Sequence, residues 1–418
     1  MIRGNVLFFF LAAFLAVGYI LADVFPLSAA TFPVLLLVDA LLLVALFWLR
    51  RGRLAILALS LFFLVLGLLR APLPDVSLLP DGLRVWSIAL SHTLVDRLRT
   101  VGLEADGTAL LEAMLLGQRG EVGEATRELY RLSGASHILA LSGLHLGVLF
   151  GLFHFWLMRL LGYRWRYVFG WLGIVLMWGY ALLTGFPASL CRASVMMSLM
   201  FLGAMRLGGT DSWHNLGLAA FLLLLLSPAS LRDVGFQLSF MAVAALLLVY
   251  PMLTALWQPQ GHLLRWLWQG VAVSFAAQMG VLPLLLHYFG YVSLSGIVLS
   301  PFYVLLATAI IYAALLLLVL RWLGMGAVLC PVVMGLIHLQ HGMMSLAVRL
   351  PFDRVVAATF PWSRVVLLYV ALLCLLPPLH ALRREEADTP VRRLARFFRL
   401  WPYLLSSLLI LTVLALAS

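Results

Sequence analysis

The sequence contains no lysine. All 28 basic residues are arginines, and against 17 acidic residues they give a formal net charge of +11. A Walker A loop requires a lysine after its second glycine, so nucleotide hydrolysis by that route is excluded. Each fixed cation is therefore a planar guanidinium, a group suited to binding phosphate and to stacking on aromatic rings.

Cysteine is also scarce. Cys191, Cys330 and Cys374 lie far apart within apolar runs, which is neither a disulfide framework nor a zinc-binding spacing. His338 and His341 are three residues apart, but neither a carboxylate nor a cysteine lies near them in sequence. We predict no metal and no cofactor.

Charged residues make up only 11% of the chain, whereas 64% of the residues are hydrophobic and the mean hydropathy is +1.07. A soluble domain cannot bury that much apolar surface, so we predict an all-α polytopic membrane protein with about 11–13 transmembrane helices and a short amphipathic helical extramembrane segment. The predicted spans are 5–22, 31–49, 54–69, 137–158, 167–184, 188–205, 214–227, 234–256, 268–289, 299–320, 325–348, 365–380 and 402–417.

Arginine clusters between the spans place the N-terminus in the cytoplasm. We divide the chain into N-terminal hairpins (1–70), an extracytoplasmic linker with amphipathic helices (71–136), the main membrane domain (137–380), and a basic cytoplasmic segment with a final span (381–418). The linker is rich in proline, and the basic segment is expected to lie on anionic lipid.

The stretch "SGASHILALSGLHLGVLFGLFH" places a glycine stripe on an apolar helix. Gly143, Gly147 and Gly151 recur every four residues. Small residues at this spacing let a second helix approach closely, so we predict helix packing along the stripe.

The same stretch carries His137, Ser142 and His145, which helical spacing places away from the glycine stripe. Polar groups within a span usually face a partner or an aqueous cavity. Two interpretations remain open: these side chains line a translocation pathway, or they hydrogen-bond to neighbouring helices.

Further polar residues occur near the predicted span ends. Arg192 needs a carboxylate, carbonyls, water or a passing anion, unless it extends to the membrane surface. Asp233 lies at the outer boundary, Gln237 follows it into the span, and Gln278 lies deep in a later span. Each glutamine either lines a cavity or bonds a neighbouring helix.

The stretch "SGASHILALSGLHLGVLFG" resembles the central signature of the ComEC competence proteins. "LLEAMLLGQRGEV", "LLTGFPASLCRASVM" and "SPASLRDVGFQLSF" are similar to other family segments, in the same order. The resemblance spans roughly residues 85 to 380 and makes 137–380 a competence-type channel domain. The family's OB-like and metallo-β-lactamase-like domains are not found in this sequence.

The resemblance implies an inner-membrane channel that passes single-stranded DNA into the cytoplasm during natural transformation. It also implies partners, namely a DNA receptor, a nuclease and a cytoplasmic ATPase or helicase. The motif positions to which the family's function would be carried over are His137, Ser142, His145, Arg192, Asp233 and Gln237.

Two alternatives stand beside this expectation. The chain could transport another polyanionic or lipid-linked substrate. It could instead be an intramembrane serine hydrolase, because Ser142 is followed by Gly143 as in rhomboid-type proteases. The protease motif is Gly-x-Ser-Gly, however, and Ala140 stands here in place of its first glycine. His145 is also too near to Ser142 in sequence to serve well as the catalytic base. We therefore predict that the chain is not an enzyme.

Overall fold

The computed structural model describes residues 7–24, 31, 34–39, 41–42, 53–70, 81–100, 102–139, 141, 143–207, 211–322, 326–350, 354–356 and 360–382. Helices dominate this part of the chain. They are α1 (Leu7–Val24), α2 (Arg53–Arg70), α3 (Asp81–Arg99), α4 (Ala105–Leu111), α5 (Glu124–Leu132), α6 (Ser136–Leu139), α7 (Gly143–Leu161), α8 (Arg166–Leu183), α9 (Ala188–Leu207), α10 (Ser212–Leu226), α11 (Val234–Leu256), α12 (His262–Phe289), α13 (Leu294–Trp322), α14 (Cys330–Val348) and α15 (Trp362–Leu382).

The predicted all-α membrane fold is confirmed. Among the described residues, five helices are long and apolar enough to cross a membrane, and α11 has the predicted bounds. Shorter apolar helices occur at Leu11–Ala22, His145–Leu161, Ala188–Gly203, Ser212–Leu226 and Trp362–Cys374. The first part of the predicted linker (71–80) and the span predicted at 402–417 lie outside the described residues. Most of the span predicted at 31–49 and the basic segment after Leu382 also lie outside them.

Non-α elements are short. A π-helical turn, Glu112–Leu116, follows α4 and ends at Gly117 with φ of +76°, a backbone conformation that favours glycine. Strands β1 (Tyr291–Ser293) and β2 (Arg354–Val356) pair antiparallel, with Val292 opposite Val355. The sequence did not predict this pair, in which β1 directly precedes α13 and β2 lies between α14 and α15.

The single span predicted at 137–158 is wrong. The helix α6 ends at Leu139 and α7 begins at Gly143, while Ala140 and Ser142 lie outside the described residues. Serine and glycine are weaker helix formers than the surrounding leucines, and an unbroken apolar pattern does not reveal where a helix is interrupted. His137 and His145 therefore do not share one helix.

The chain forms two compact units. Unit one comprises Met1–His92 and Ser142–Phe240. Its helices α1 and α2 pack backbone to backbone, because a Cβ on Gly18 would lie 3.0 Å from the Gly67 Cα. Tyr19 of α1 donates a hydrogen bond to the Leu224 carbonyl of α10 at 2.7 Å. The hydroxyl thus satisfies its hydrogen bonding within an apolar core.

Unit two comprises Thr93–Leu141 and Met241–Ser418. Within it, α11 and α12 approach closely, since a Cβ on Gly280 would collide with the Met241 carbonyl oxygen. Tyr369 of α15 donates a hydrogen bond to the Gly280 carbonyl at 2.8 Å. A helix crossing this close requires glycine at the contact point.

Candidate functional site

An ion pair between a buried arginine and a partly exposed aspartate joins two helices of unit one. Arg192 lies in the second turn of α9, and its Nη1 donates to Asp233 Oδ2 at 2.6 Å. The Arg192 side chain is 7% exposed, whereas the Asp233 side chain is 43% exposed. Sequence reasoning required an acceptor for Arg192 but did not identify this one, because the partner lies 41 residues away.

Asp233 also caps α11. Its Oδ1 accepts a hydrogen bond from the Gly235 amide at 3.0 Å, and its Oδ2 accepts one from the Phe236 amide at 3.2 Å. An aspartate at this position satisfies amides that have no partner within the helix and complements the positive end of the helix dipole. One carboxylate therefore joins α9 to the start of α11.

The ion pair leaves no room for a side chain at Gly235. A Cβ there would lie 2.7 Å from Arg192 Nη2. Arg192 Nε is buried and has no hydrogen-bond partner among the residues that the structure describes. An unsatisfied buried donor is unfavourable by about 1–3 kcal/mol, so this nitrogen marks a place where an acceptor is missing.

Gln237 supports the same corner of unit one. Its Nε2 donates to the Leu231 carbonyl at 2.9 Å, within the 3-10 turn Pro228–Arg232 that leads to α11. This bond ties the first turn of α11 to the preceding turn and fixes the entry of the chain into the helix.

His145 is buried, with 2% of its surface exposed, on α7 in unit one. Near it, a Cβ on Gly143 would lie 3.0 Å from the Ala193 Cβ of α9. At Gly147 and Gly151, a Cβ would meet nothing within 4 Å in the described part of the chain. Among the three glycines, the close contact is therefore limited to Gly143. The two helices also meet farther along, but through side chains, since the His154 and Phe201 ring centroids lie 5.4 Å apart.

Two predicted residues belong to unit two. His137 of α6 is exposed. Gln278 of α12 has a buried Oε1 without a hydrogen-bond partner among the described residues. The predicted residues therefore divide between the units, and Ser142 lies outside the described residues.

The sequence reasoning missed a polar network in unit two. Tyr130 of α5 donates from its hydroxyl to Gln340 Oε1 at 3.0 Å. Gln340 of α14 in turn donates from Nε2 to the Tyr303 carbonyl of α13 at 3.1 Å. Gln340 is fully buried. The sequence contains one sign of this network, because Gln340 is a polar residue in an apolar helix, between His338 and His341.

A second contact in unit two holds the loop before α6 against the start of α13. A Cβ on Gly134 would lie 3.2 Å from the Ser293 Cβ, and a Cβ on Gly296 would lie 3.0 Å from the Ser133 carbonyl oxygen. Ser293 Oγ accepts a hydrogen bond from the Gly296 amide at 3.1 Å. The segment that is predicted to lie outside the membrane is thereby fixed to α13 within unit two.

No group of three or more His, Cys, Asp or Glu residues that could hold a metal ion occurs within the described residues.

Comparison with known proteins identifies the family. The model of the competence-protein family matches residues 114–381, well over half of the chain. The chain belongs to the competence-protein family. This matched region contains the Arg192–Asp233 pair and the Tyr130–Gln340 network, as well as every position that sequence reasoning singled out.

Curated competence proteins are similar to the chain at moderate identity. "ComE operon protein 3" of Bacillus subtilis (strain 168) is 32% identical over 229 residues, which is 54% of this chain and 28% of that protein. "Competence protein ComA" of Neisseria gonorrhoeae is 31% identical over 175 residues, 40% of this chain and 25% of that protein. "Recombination protein 2" of Haemophilus influenzae is 29% identical over 222 residues, 50% of this chain and 28% of that protein.

The matches thus span between a quarter and a third of the length of these three relatives. No solved structure matches the chain significantly.

Proposed function

We propose that this competence-family chain forms a membrane channel domain that passes single-stranded DNA into the bacterial cytoplasm during natural transformation. The family match over residues 114–381 is the observation that carries the proposal. The names of two relatives, which refer to competence and recombination, fit a role in taking up DNA. Family membership also favours transport over catalysis.

The chemistry of the substrate sets the demands on such a channel. A DNA strand carries one negative charge per nucleotide and cannot enter lipid, so it requires an aqueous path with few, well-placed cations. Strong binding would stop transport, whereas a cation that is already paired binds a phosphate only weakly. Arg192 is buried and paired with Asp233, which is this kind of cation.

The direction and the energy of transport follow from sequence features. The arginine distribution favours a cytoplasmic N-terminus in the inner membrane. The absence of lysine excludes a Walker A loop, so the energy has to come from a source other than nucleotide hydrolysis at such a loop in this chain. We propose a cytoplasmic ATPase or helicase for this step, and a separate receptor and nuclease that deliver the strand outside.

The direct test is transport into vesicles. The purified chain and its candidate partners are reconstituted, and a dye-labelled single strand is added outside. We expect label that is protected from external nuclease to accumulate with single-stranded DNA but not with a duplex. Accumulation equal to that of protein-free vesicles would refute the channel.

A host assay tests the assigned residues. In a competent host, replacing Arg192 and His145 together is expected to abolish DNA uptake, with expression of the variant checked by immunoblot. Normal uptake by a well-expressed double variant would remove both residues from the pathway. Replacement of the exposed Arg349 in unit two is the control, and it should leave uptake unchanged.

The alternatives are outcomes of these experiments. If a different polyanion or a lipid-linked glycan accumulates in vesicles and DNA does not, the transported substrate is that molecule. Specific labelling of Ser142 by a fluorophosphonate probe would instead indicate a serine hydrolase. Ser142 lies outside the described residues, so the hydrolase hypothesis stays a prediction.

A further inference from the structure

We propose that Arg192 and the N-terminus of α11 form a binding site for one phosphodiester group, and that Asp233 occupies this site when no phosphodiester is bound. The proposal rests on the proposed function only for the source of the phosphodiester, which is the translocated strand. The site itself is argued from the side chains and backbone of unit one.

Four N–H groups surround the Asp233 carboxylate or lie beside it. Arg192 Nη1 and the amides of Gly235 and Phe236 donate to it at 2.6, 3.0 and 3.2 Å. Arg192 Nε is buried and has no acceptor in the described part of the chain. The carboxylate therefore leaves one buried donor of the guanidinium unused.

A phosphodiester matches this donor set. It carries one negative charge on two non-bridging oxygens, as a carboxylate does, and guanidinium groups bind such oxygen pairs through two parallel hydrogen bonds. A helix N-terminus binds phosphate through its free amides and its dipole. A phosphodiester bound to Nε and to a second guanidinium nitrogen would satisfy the donor that Asp233 leaves unpaired.

The two partners differ in how freely they can move. Arg192 is 7% exposed, so its guanidinium is held in place by the packing around it. Asp233 is 43% exposed, and its carboxylate can turn into solvent. Because a buried cation without an anion is strongly unfavourable, we infer that Asp233 leaves only as a phosphodiester arrives.

Glycine at position 235 keeps the guanidinium against the helix. A Cβ there would lie 2.7 Å from Arg192 Nη2, although the middle of the first helical turn imposes no need for glycine by itself. A Gly235→Ala change would therefore displace the guanidinium while leaving both charges in the protein. This variant therefore tests whether binding depends on the position of the Arg192 guanidinium and not only on its charge.

Two sources could supply a phosphodiester, namely a DNA strand and a phospholipid headgroup. Binding is therefore measured with the full chain purified in a maltoside detergent, which contains no phosphate. The probe is a fluorescein-labelled oligothymidylate, followed by fluorescence anisotropy. The matched probe is a methylphosphonate oligomer of equal length, which has the same bases but no backbone charge, and short-chain phosphatidylglycerol serves as the lipid competitor.

We expect Asp233→Asn to bind the oligothymidylate about tenfold more tightly, because the site is then no longer occupied by a competing anion. Asparagine keeps the helix cap, so the variant should fold. Arg192→Gln and Gly235→Ala are each expected to weaken binding about tenfold, through loss or displacement of charge-assisted hydrogen bonds. Arg232→Gln, an exposed neighbour, is the control for general electrostatics and should change binding less than about twofold.

Several outcomes would overturn the proposal. If Asp233→Asn weakens binding as Arg192→Gln does, the ion pair is only structural. If Gly235→Ala leaves binding unchanged, the guanidinium is not in the site. Binding of the methylphosphonate oligomer as tight as that of the natural strand would also refute a phosphodiester site, and so would a lack of binding by both the strand and the lipid.

The experiment separates failure of this site from failure of the channel. Tight oligothymidylate binding that none of the three site variants changes would refute the site and leave DNA transport standing. If phosphatidylglycerol binds with the expected variant pattern and the oligothymidylate does not, the site is supported for lipid and DNA transport loses its support.

Discussion

Replacing Tyr130 by phenylalanine tests the buried network of unit two. The change removes one hydroxyl and leaves Gln340 Oε1 without its donor at 3.0 Å, while the Gln340 bond to the Tyr303 carbonyl remains. An unsatisfied buried acceptor is unfavourable by about 1–3 kcal/mol. Hydrogen bonds between membrane helices average only about 0.6 kcal/mol.

Tyr130 and Gln340 are both fully buried, so their hydrogen bond should stabilise the protein by more than the average for hydrogen bonds between membrane helices. We expect the free energy of unfolding to fall by about 1.5 kcal/mol, within the range for a lost buried hydrogen bond. The assay is denaturant-driven unfolding in mixed micelles, followed by tryptophan fluorescence. Tyr291→Phe is the matched control, because its hydroxyl bonds the Arg131 carbonyl at an exposed site, and a change below about 0.5 kcal/mol is expected.

A double-mutant cycle decides whether the effect comes from this pair. In a Gln340→Leu background, Tyr130→Phe no longer leaves an acceptor unpaired, so its effect should shrink by about 1 kcal/mol. An equal loss of stability in both backgrounds would refute the reasoning. It would show that the Tyr130 hydroxyl stabilises the protein through some other contact.

Three further predictions concern packing and pH. Gly280→Ala should lower the melting temperature sharply, because its Cβ would collide with a backbone carbonyl, whereas Gly335→Ala meets nothing within 4 Å among the described residues and should not. Gly147→Ala, also in open space, should leave stability unchanged or raise it by up to about 1 kcal/mol. Burial raises the pKa of Tyr130 well above its ordinary value, so its contribution to stability is complete below the unfolded-state pKa of about 10 and is lost as the pH rises. The melting-temperature advantage of the natural protein over Tyr130→Phe should therefore narrow between pH 8 and 11, and a constant difference would contradict this assignment.

Helix positions were largely predictable from the sequence, because apolar length and turn residues decide them locally. The span at 234–256 has the same bounds in the structure, where Asp233 caps its first turn. The break between α6 and α7 was missed, since leucine-rich sequence continues on both sides of it. Periodicity describes one helix at a time and carries no information about an interruption of a few residues.

The contacts of the candidate site were not predictable in the same way. The pairing of Arg192 with Asp233 joins residues 41 positions apart, and no local spacing encodes it. The glycine stripe shows the same limit, since a Cβ on Gly143 would meet Ala193 whereas one on Gly147 would meet nothing within 4 Å among the described residues. The spacing of small residues indicates that a second helix can approach closely, but the position of that second helix determines where contact occurs.

The contact between Gly134 and Gly296 has a consequence for mutational tolerance. Gly134 has φ of +75°, and a Cβ on either glycine would lie 3.3 or 3.4 Å from the Cα of the other. Each position therefore restricts what the other can accept, so a larger residue at one cannot be offset by a change at the other. In a saturation library selected for folded protein, both should remain glycine, while Gly120, with open space around it among the described residues, should accept many side chains.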